Sequence, residues 1–374
     1  MQYRTLGKTG FKVSALGFGA MRLPMDGEVV VREKAIPMIR RAFEAGVNYI
    51  DSAVFYCGYD SERAVGEALK GWRDKVVLST KNHYYAKDDK EGWRRNLELS
   101  LEKLDVDYLD IYNFHGIGWE KFTEHVDGPD GLYKETLKAK DQGLIRHICC
   151  SFHDNCDNLI KIVDTGMFES VTCQYNLLDR SLEAGMAHAH EKGMGVVVMG
   201  PVAGGRLGET GGEFAGMFPE GITSTPELAL RFVLANPNVT VALSGMSTMQ
   251  QVEENLGTAS REETLSAGEL AAIDKAMEQL KELADLYCTG CGYCQPCPEC
   301  VAIPEIFRAV NQLRVYGAAD AARSAYKQLI EENKEDKQPA TACVECGECE
   351  PKCPQKIEVA EQLKQAQQLL TSSE

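Results

Sequence analysis

Between residues 15 and 256, short apolar runs alternate with stretches whose apolar positions recur at helical spacing. The runs fall at about 15–20, 47–51, 76–80, 109–114, 146–151, 170–175, 195–199 and 241–244. Between and after them lie amphipathic stretches at about 33–45, 60–70, 91–104, 130–142, 154–164, 180–192, 226–235 and 248–256. Short apolar runs bounded by turn residues predict buried strands, and their alternation with helices predicts βα units on a parallel sheet. Eight units predict an α/β fold, a closed (β/α)8 barrel. Residues 2–14 alternate loosely around Gly7-Lys-Thr-Gly10, which predicts a hairpin ahead of the first strand.

After the seventh strand the Gly-rich segment 204–221 is long for a βα connection, and loops of that length tend to be functional. It reads as a flap near a bound cofactor. Residues 266–286 form a further amphipathic helix, with Ser266 as cap and Glu269 three residues on. A domain boundary is expected near 283, giving a barrel over 1–283 and a small α-helical second domain over 284–374. In that second domain, residues 304–333 carry an apolar stripe (Phe307, Val310, Leu313, Tyr326, Leu329, Ile330), expected to pack it against the barrel.

Length agrees, since 374 residues exceed one ordinary core and a barrel takes about 250 of them. With 44% hydrophobic and 26% charged residues the composition is that of a soluble globular protein, and no run reaches the ~20 apolar residues of a membrane span. The N-terminus lacks the apolar core of a secretory signal, so a cytoplasmic protein is expected. A net charge of −16 without a basic stripe speaks against nucleic acid and anionic lipid. Small molecules are the expected partners.

Three consecutive strands end in proton chemistry. Val47-Asn-Tyr-Ile-Asp51 is followed five residues later by Tyr56, Val76-Val-Leu-Ser-Thr ends on Lys81, and Leu109-Asp-Ile-Tyr-Asn-Phe ends on His115. Taken singly, Asp51 reads as a helix cap, Tyr56 as a half-buried core phenol, Lys81 as a solvated stop and His115 as a structural imidazole. In this order a barrel delivers all four to its C-terminal face, where reacting groups gather. A phenol donates a proton to a carbonyl oxygen if its pKa of about 10 is drawn down, and Lys81, oriented by Asp51, is expected to do that. His115 would position the substrate oxygen or relay the proton.

Over roughly residues 1–280 the chain resembles the aldo-keto reductase family, a TIM-barrel family whose catalytic Asp, Tyr, Lys and His fall on Asp51, Tyr56, Lys81 and His115. The resemblance implies NADP or NAD lying across the same face. It places the first strand's end (Gly19, Ala20, Met21) and Asp51 at the cofactor, with Ser151 and Gln174 on the nicotinamide carboxamide and Asn176 in support. Phe152 and His153 stand where the family usually has Asn. Met199 occupies the position of a ring-stacking aromatic, followed by Gly200, Pro201, Val202 and Gly205. The last cofactor patch is Gly245, Ser247, Thr248, Gln251, Glu254 and Asn255, on a helix whose first amides would receive phosphate. Gly245, Met246 and Gln251 stand where many relatives carry Lys, Ser and Arg for a 2′-phosphate, leaving Arg206 to compensate. Substrate contacts are expected from His83, Tyr84 and Trp119.

Cysteines are lopsided. Five (Cys57, Cys149, Cys150, Cys156, Cys173) scatter through the barrel, and nine lie between 288 and 353. In Cys343-Val-Glu-Cys346-Gly-Glu-Cys349-Glu-Pro-Lys-Cys353-Pro354 the spacing is C-x2-C-x2-C-x3-C-P, that of bacterial two-cluster ferredoxins. The other half, Cys288, Cys291, Cys294 and Cys297, repeats it with two residues before the fourth Cys, which leaves Cys300 as a rival ligand. Zinc is the alternative, since paired C-x2-C elements also build four-thiolate sites; two triplets each followed by Cys-Pro favour two 4Fe-4S clusters. By the ferredoxin pattern Cys288, Cys291, Cys294 and Cys353 would hold one cluster, and Cys343, Cys346, Cys349 and Cys297 the other.

The expectation is thus an oxidoreductase that reduces an aldehyde or ketone, or oxidises the alcohol, fused to a ferredoxin-like tail. Such fusions resemble a bacterial subgroup of the family. Hydride moves two electrons and a cluster one. The clusters are therefore either structural or serve a separate one-electron carrier; a flavin would bridge the difference, and no residue pattern indicates one. The competing reading is an electron-transfer or redox-sensing protein that uses the barrel as a docking module.

Overall fold

The computed structural model describes the chain except residues 84–89, 206, 208–221, 262–263, 280–287, 289, 315–318, 333–335 and 373–374. It divides into two compact units, Met1–Pro201 with Ala229–Leu265, and Val202–Leu228 with Ser266–Glu374. The expected boundary near 283 lies outside the described residues.

The first unit is a closed barrel of eight parallel strands: β1 Leu16–Gly19, β2 Tyr49–Asp51, β3 Val77–Asn82, β4 Leu109–Ile117, β5 Ile145–Phe152, β6 Ser170–Gln174, β7 Gly195–Met199 and β8 Val241–Gly245. Neighbours pair in sequence order and β8 closes on β1, with Ala242 opposite Leu16 and Gly245 opposite Gly19. The helices that follow the strands are α1 Arg32–Glu44, α2 Ser61–Leu69, α3 Lys90–Leu104, α4 Leu132–Asp141, α5 Cys156–Asp164, α6 Glu183–Glu191, α7 Thr225–Ala235 and α8 Met249–Ala259. All eight strands and all eight helices fall where periodicity puts them. The one notable difference is β4, which continues past His115 to Ile117, with an irregular register against β5 between Phe114 and Ile117.

Strand starts point a ring of side chains (Tyr49, Val77, Ile111, Cys149, Val197, Val241) into the barrel floor, where the hairpin supplies Leu6, Val13 and Phe11 to close it. That hairpin pairs Tyr3–Thr5 antiparallel with Lys12–Ser14, as the alternation predicts. Its turn lies against β7 so closely that a Cβ on Gly7 (φ +48) would stand 2.2 Å from the Gly195 amide nitrogen, so only glycine fits. Beside the floor, buried Asp110 accepts from Arg73, Arg146 and the Leu78 amide, while both guanidiniums sandwich the Tyr108 ring at 4.2 and 3.9 Å. This pins β3, β4 and β5 through a buried charge whose partners surround it.

In the second unit, α9 Ala267–Gln279 opens with the reciprocal capping box that Ser266 and Glu269 predict: the Ser266 amide donates to Glu269 Oε2 (2.6 Å) and the Glu269 amide to Ser266 Oγ (3.2 Å). Helices α10 Ile303–Arg314, α11 Ala319–Glu332 and α12 Val359–Thr371 surround a core of their own, built on Ile306, Phe307, Val310, Tyr326, Leu363 and Leu370. The apolar stripe of 304–333 is therefore satisfied within this unit rather than reserved for the barrel, except for Ile330, which is exposed. Among the described residues no helix is long and apolar enough to cross a membrane.

Helix α2 crosses α3 at Gly66, where an added Cβ would meet the Leu104 carbonyl oxygen at 2.5 Å. Helix propensity alone favours Ala there by about 1 kcal/mol, and a clash with backbone costs about 1–3 kcal/mol. The clash should win, so Gly66→Ala is expected to lower the barrel's thermal midpoint, measured by circular dichroism; a midpoint that rises would show that the crossing has slack.

Candidate active site and candidate metal centre

Asp51 ends β2 and is 3% exposed; Lys81, on β3, is 2% exposed, and the strands are paired so that Asp51 lies opposite Ser79. Lys81 Nζ donates to Asp51 Oδ2 in a short ion pair and to the Ser52 carbonyl at 2.8 Å. The other carboxylate oxygen accepts from Ser79 Oγ (2.7 Å), and Ser79 in turn accepts from Asn113 Nδ2 of β4 (3.0 Å). The ammonium so held stands 4.9 Å from the centre of the Tyr56 ring. His115 meets that ring edge-on at 5.8 Å, and Phe55 stacks flat on the imidazole at 4.8 Å. The four strand-end residues share one place.

Tyr56 begins a tight left-handed bend. Cys57 (φ 51), Gly58 (φ 60) and Tyr59 (φ 68) all occupy positive φ, uncommon for the two that carry side chains. The bend is held where it meets the end of β1: the Cys57 thiol donates to the carbonyls of Ala20 and Met21, and Ser61 Oγ donates to Ala20 O at 2.8 Å. Backbone strain of this kind gathers at functional sites.

The electrostatics differ from the sequence expectation at one point. Burial, and then the Asp51 charge, hold the Tyr56 phenol well above its ordinary value, opposite in direction to the lowering expected from Lys81. The phenol keeps its proton through neutral pH. His115 is pushed well below its usual range by burial and then by Lys81, and His153 is lowered to about 4 by burial, Lys121 and Lys81. Near pH 7 both imidazoles are neutral.

The residues expected at a cofactor line the same strand ends in part. Gly19, half-buried, lies opposite Gly245, Ala20 is buried, and Met21 is exposed. Ser151 Oγ accepts from the Gly116 amide at 2.8 Å, and Gln174 Nε2 donates to Asp179 at 3.1 Å. Met199 ends β7, followed by Gly200 at φ +64 and buried Pro201. Three further residues expected to bind or support the cofactor also have internal partners. Asn176 is buried in a turn, donating to the Gly200 carbonyl (3.0 Å) and accepting from the Leu178 and Asp179 amides. Asn255 is 7% exposed and donates to Ser244 Oγ at 3.0 Å, and Glu254 accepts from Gln250. The first turn of α8 caps itself, with Thr248 Oγ1 accepting from the Gln251 amide and Gln251 Oε1 from the Ser247 amide. Val202 and Gly205 belong to the second unit, while Arg206 and most of segment 204–221 lie outside the described residues, as does Tyr84. Trp119 stacks on Phe122, with Lys161 over its ring.

Two groups escaped the sequence reading. Arg22 lies alongside β8, its stem 3.5 Å from where a Gly245 Cβ would stand, and its carbonyl accepts from Ser247 Oγ. It is a cation at the patch that seemed to have none, and only the packing of β1 on β8 brings it there. Lys121 is the other, one helical turn beyond β4, donating to the Gly116 carbonyl at 2.9 Å.

In the second unit the fourteen-cysteine inventory of the chain stays free of disulfides. Cys297, Cys343, Cys346 and Cys349 line one concavity together with Val344, Glu345 and Gly347, and Cys300 is not among its walls. Cys294 is close enough to Cys288, Cys291 and Cys353 for each to disfavour its thiolate. The cysteines thus fall into two foursomes, each borrowing one member from the other half of the tail. Among the described residues no three His, Cys, Asp or Glu side chains stand close enough to grip a single ion. Cys300 sits at φ +53, its amide bonded to the Cys297 carbonyl and its carbonyl to the Gln338 amide.

Comparison with known proteins adds two matches. The profile of the Aldo/keto reductase family matches residues 15–278, and that of a 4Fe-4S dicluster domain matches residues 287–358. L-galactose dehydrogenase of Arabidopsis thaliana is 30% identical over 324 residues, covering 76% of this chain and 96% of that protein. The NADH-specific methylglyoxal reductase of Escherichia coli is 26% identical, with 67% and 91% covered. Among solved structures, an aldo-keto reductase from Bacillus halodurans in its holo form is 30% identical with a TM-score of 0.63, covering 74% of this chain and 96% of that one. An aldo/keto reductase from Klebsiella pneumoniae in complex with NADP and acetate is 25% identical with a TM-score of 0.60, covering 73% and 94%.

The lowered His153 makes stability pH-dependent. Its folded value of about 4 lies below the unfolded value near 6.5, so the unfolded chain binds the extra proton between the two. The contribution is complete above pH 6.5 and is lost as pH falls towards 4, on the order of 1–3 kcal/mol. Thermal midpoints recorded from pH 7 to 5 should fall less steeply in His153→Asn than in the native protein; parallel slopes would mean that His153 is not held neutral.

Proposed function

The chain belongs to the aldo/keto reductase family and carries a 4Fe-4S dicluster domain behind its barrel, and from that premise we propose that it is an NAD(P)H-dependent carbonyl reductase with Tyr56 as its acid. The observation that carries the reading is the meeting of Asp51, Lys81, Tyr56 and His115 at one end of three adjacent strands. A bound nicotinamide would supply hydride to the carbonyl carbon. The protein's part is the proton: Tyr56, kept protonated by burial, releases it only as negative charge grows on the substrate oxygen. Lys81, fixed against the ring by two acceptors, stabilises the phenolate that results. Neutral His115 offers an N–H to the same oxygen.

The dinucleotide would lie over the strand ends, against Gly19, Ala20, Met21 and Asp51, then Ser151, Gln174, Met199, Gly200 and Pro201. Its phosphates would meet Gly245, Ser247, Thr248 and Gln251, and its adenine Glu254 and Asn255. The donor set of the tail, residues 284–374, fits two clusters: Cys288, Cys291, Cys294 and Cys353 for one, Cys343, Cys346, Cys349 and Cys297 for the other. Six of these ligands pack directly on the tail's apolar core, so the clusters brace the fold whether or not a one-electron carrier also draws on them. A cytoplasmic setting suits iron-sulfur chemistry.

Tyr56→Phe is expected to lower carbonyl reduction by at least a hundredfold while nicotinamide affinity changes by no more than a few-fold; undiminished turnover would remove the assignment. Anaerobically purified protein should contain about eight irons per chain. Cys297→Ser should lose about half of them and Cys300→Ser should keep them, by iron analysis and visible absorbance. Zinc in place of iron, or the opposite ranking of the two serine variants, would overturn the ligand sets.

A further inference from the structure

The left-handed bend behind Tyr56 is strained, since Cys57, Gly58 and Tyr59 all stand at positive φ, and such a conformation persists only where its surroundings hold it. The next three residues do so. Asp60 accepts from the Val30 amide at 2.9 Å and from Arg32 Nη2 at 2.8 Å. Ser61 Oγ donates to the Ala20 carbonyl and lies 2.8 Å from Ser52 Oγ, the neighbour of Asp51. Glu62 Oε1, in the first turn of α2, accepts from Thr80 Oγ1 at 2.6 Å, and Thr80 is the neighbour of Lys81.

Glu62 and Thr80 are both 0% exposed, and neither has a part in the proton chemistry described above. Side chains alternate along β3: Ser79 and Lys81 turn inward to Asp51, and Thr80 turns outward to α2. The strand end is thus gripped from both faces. Lys103 of α3 completes the outer grip, its Nζ 4.0 Å from Glu62 Oε2 and 5.6 Å from the centre of the Tyr59 ring, so the buried acid reaches back to the bend as well. Burial raises the Glu62 carboxyl, while the Thr80 and Ser100 hydroxyls, Lys103 and Lys81 oppose that rise.

From this arrangement we infer that Glu62 and Thr80 are positioning residues: their bond fixes the bend that carries Tyr56 against the strand that carries Lys81, and so sets the 4.9 Å between ring and ammonium. The inference rests on the reductase reading and deepens it with two residues that act through others. A fixed charge serves the reacting phenol only while it stays in place, and a displacement of about 1 Å is enough to slow such a step severely.

The test uses the full-length, cluster-loaded protein with 4-nitrobenzaldehyde and either NADPH or NADH. Thr80→Val, which keeps the shape and removes the hydroxyl, should lower kcat about tenfold or more, as one bond to a charged group implies. KM and nicotinamide affinity should stay within a few-fold, and Thr80→Ser should keep most of the rate. In the Thr80→Val background, adding Glu62→Gln should change kcat little, because the bond is already gone; a second loss of similar size would separate the two residues and overturn the inference. The bend itself is read by anaerobic alkylation with iodoacetamide, mapped by mass spectrometry on two half-buried thiols, Cys57 in the bend and Cys156 at the start of α5. Thr80→Val should speed labelling of Cys57 several-fold and leave Cys156 unchanged, whereas a general loosening speeds both. Native kcat in Thr80→Val, or Cys57 labelling that is unchanged or rises together with Cys156, overturns the inference. If no aldehyde is turned over, the reductase reading fails on its own; selective labelling of Cys57 then still supports the clasp, and unselective labelling removes it.

Discussion

The site depends on one buried ion pair. Lys81 and Asp51 lie on neighbouring strands of the barrel, almost wholly removed from water, and neither would be tolerable there alone. Removing one partner of such a pair typically costs 3–5 kcal/mol, about as much as a good part of a domain's net stability. The pair is kept because its second acceptor, the Ser52 carbonyl, and its second donor, Ser79, complete the bonding of both charges. With the ammonium immobilised, the Tyr56 ring has a fixed positive charge beside it at no cost in reorganisation when the phenol gives up its proton. In the proposed reaction the pair would stabilise the phenolate as it forms. The resting phenol is raised by burial and by the Asp51 charge.

Much of this was legible in the chain. Eight apolar runs alternating with eight amphipathic stretches leave few topologies, and the parallel barrel they imply sends Asp51, Lys81 and His115 to one face by construction. Tyr56 was legible for a different reason, its fixed offset from β2. What periodicity does not carry is the closure of the sheet. Arg22 follows β1 in sequence and meets β8 in space, and nothing local to either stretch announces that contact. Periodicity is equally silent on Asn176 and Asn255: both look unpartnered in sequence, yet buried amides must find partners, and each has one within the fold. The direction of the Tyr56 shift was missed because proximity to a cation is readable from strand order, whereas burial is not.

In the tail, spacing told more than periodicity. The C-x2-C-x2-C repeats fix which thiols lie close along the chain, but the exchange of the fourth ligand is a property of the folded unit, seen in the shared wall of Cys297 with Cys343, Cys346 and Cys349. Cys300, the rival ligand, sits at positive φ and is not among the residues that line the concavity. The apolar stripe between the repeats, which looked like an interface, is the tail's own core, because so small a unit needs every apolar side chain it has.

That exchange of ligands also sets an order of events in the cell. Because Cys353 stands beside Cys291 and Cys294, a chain emerging from the ribosome exposes its first three thiols long before the fourth has been translated. If the two foursomes hold the proposed clusters, neither can close until its members among residues 343–353 have been made, after every strand of the barrel. On that proposal a chain truncated just short of residue 353 would forfeit a ligand from the half of the tail that it had made first.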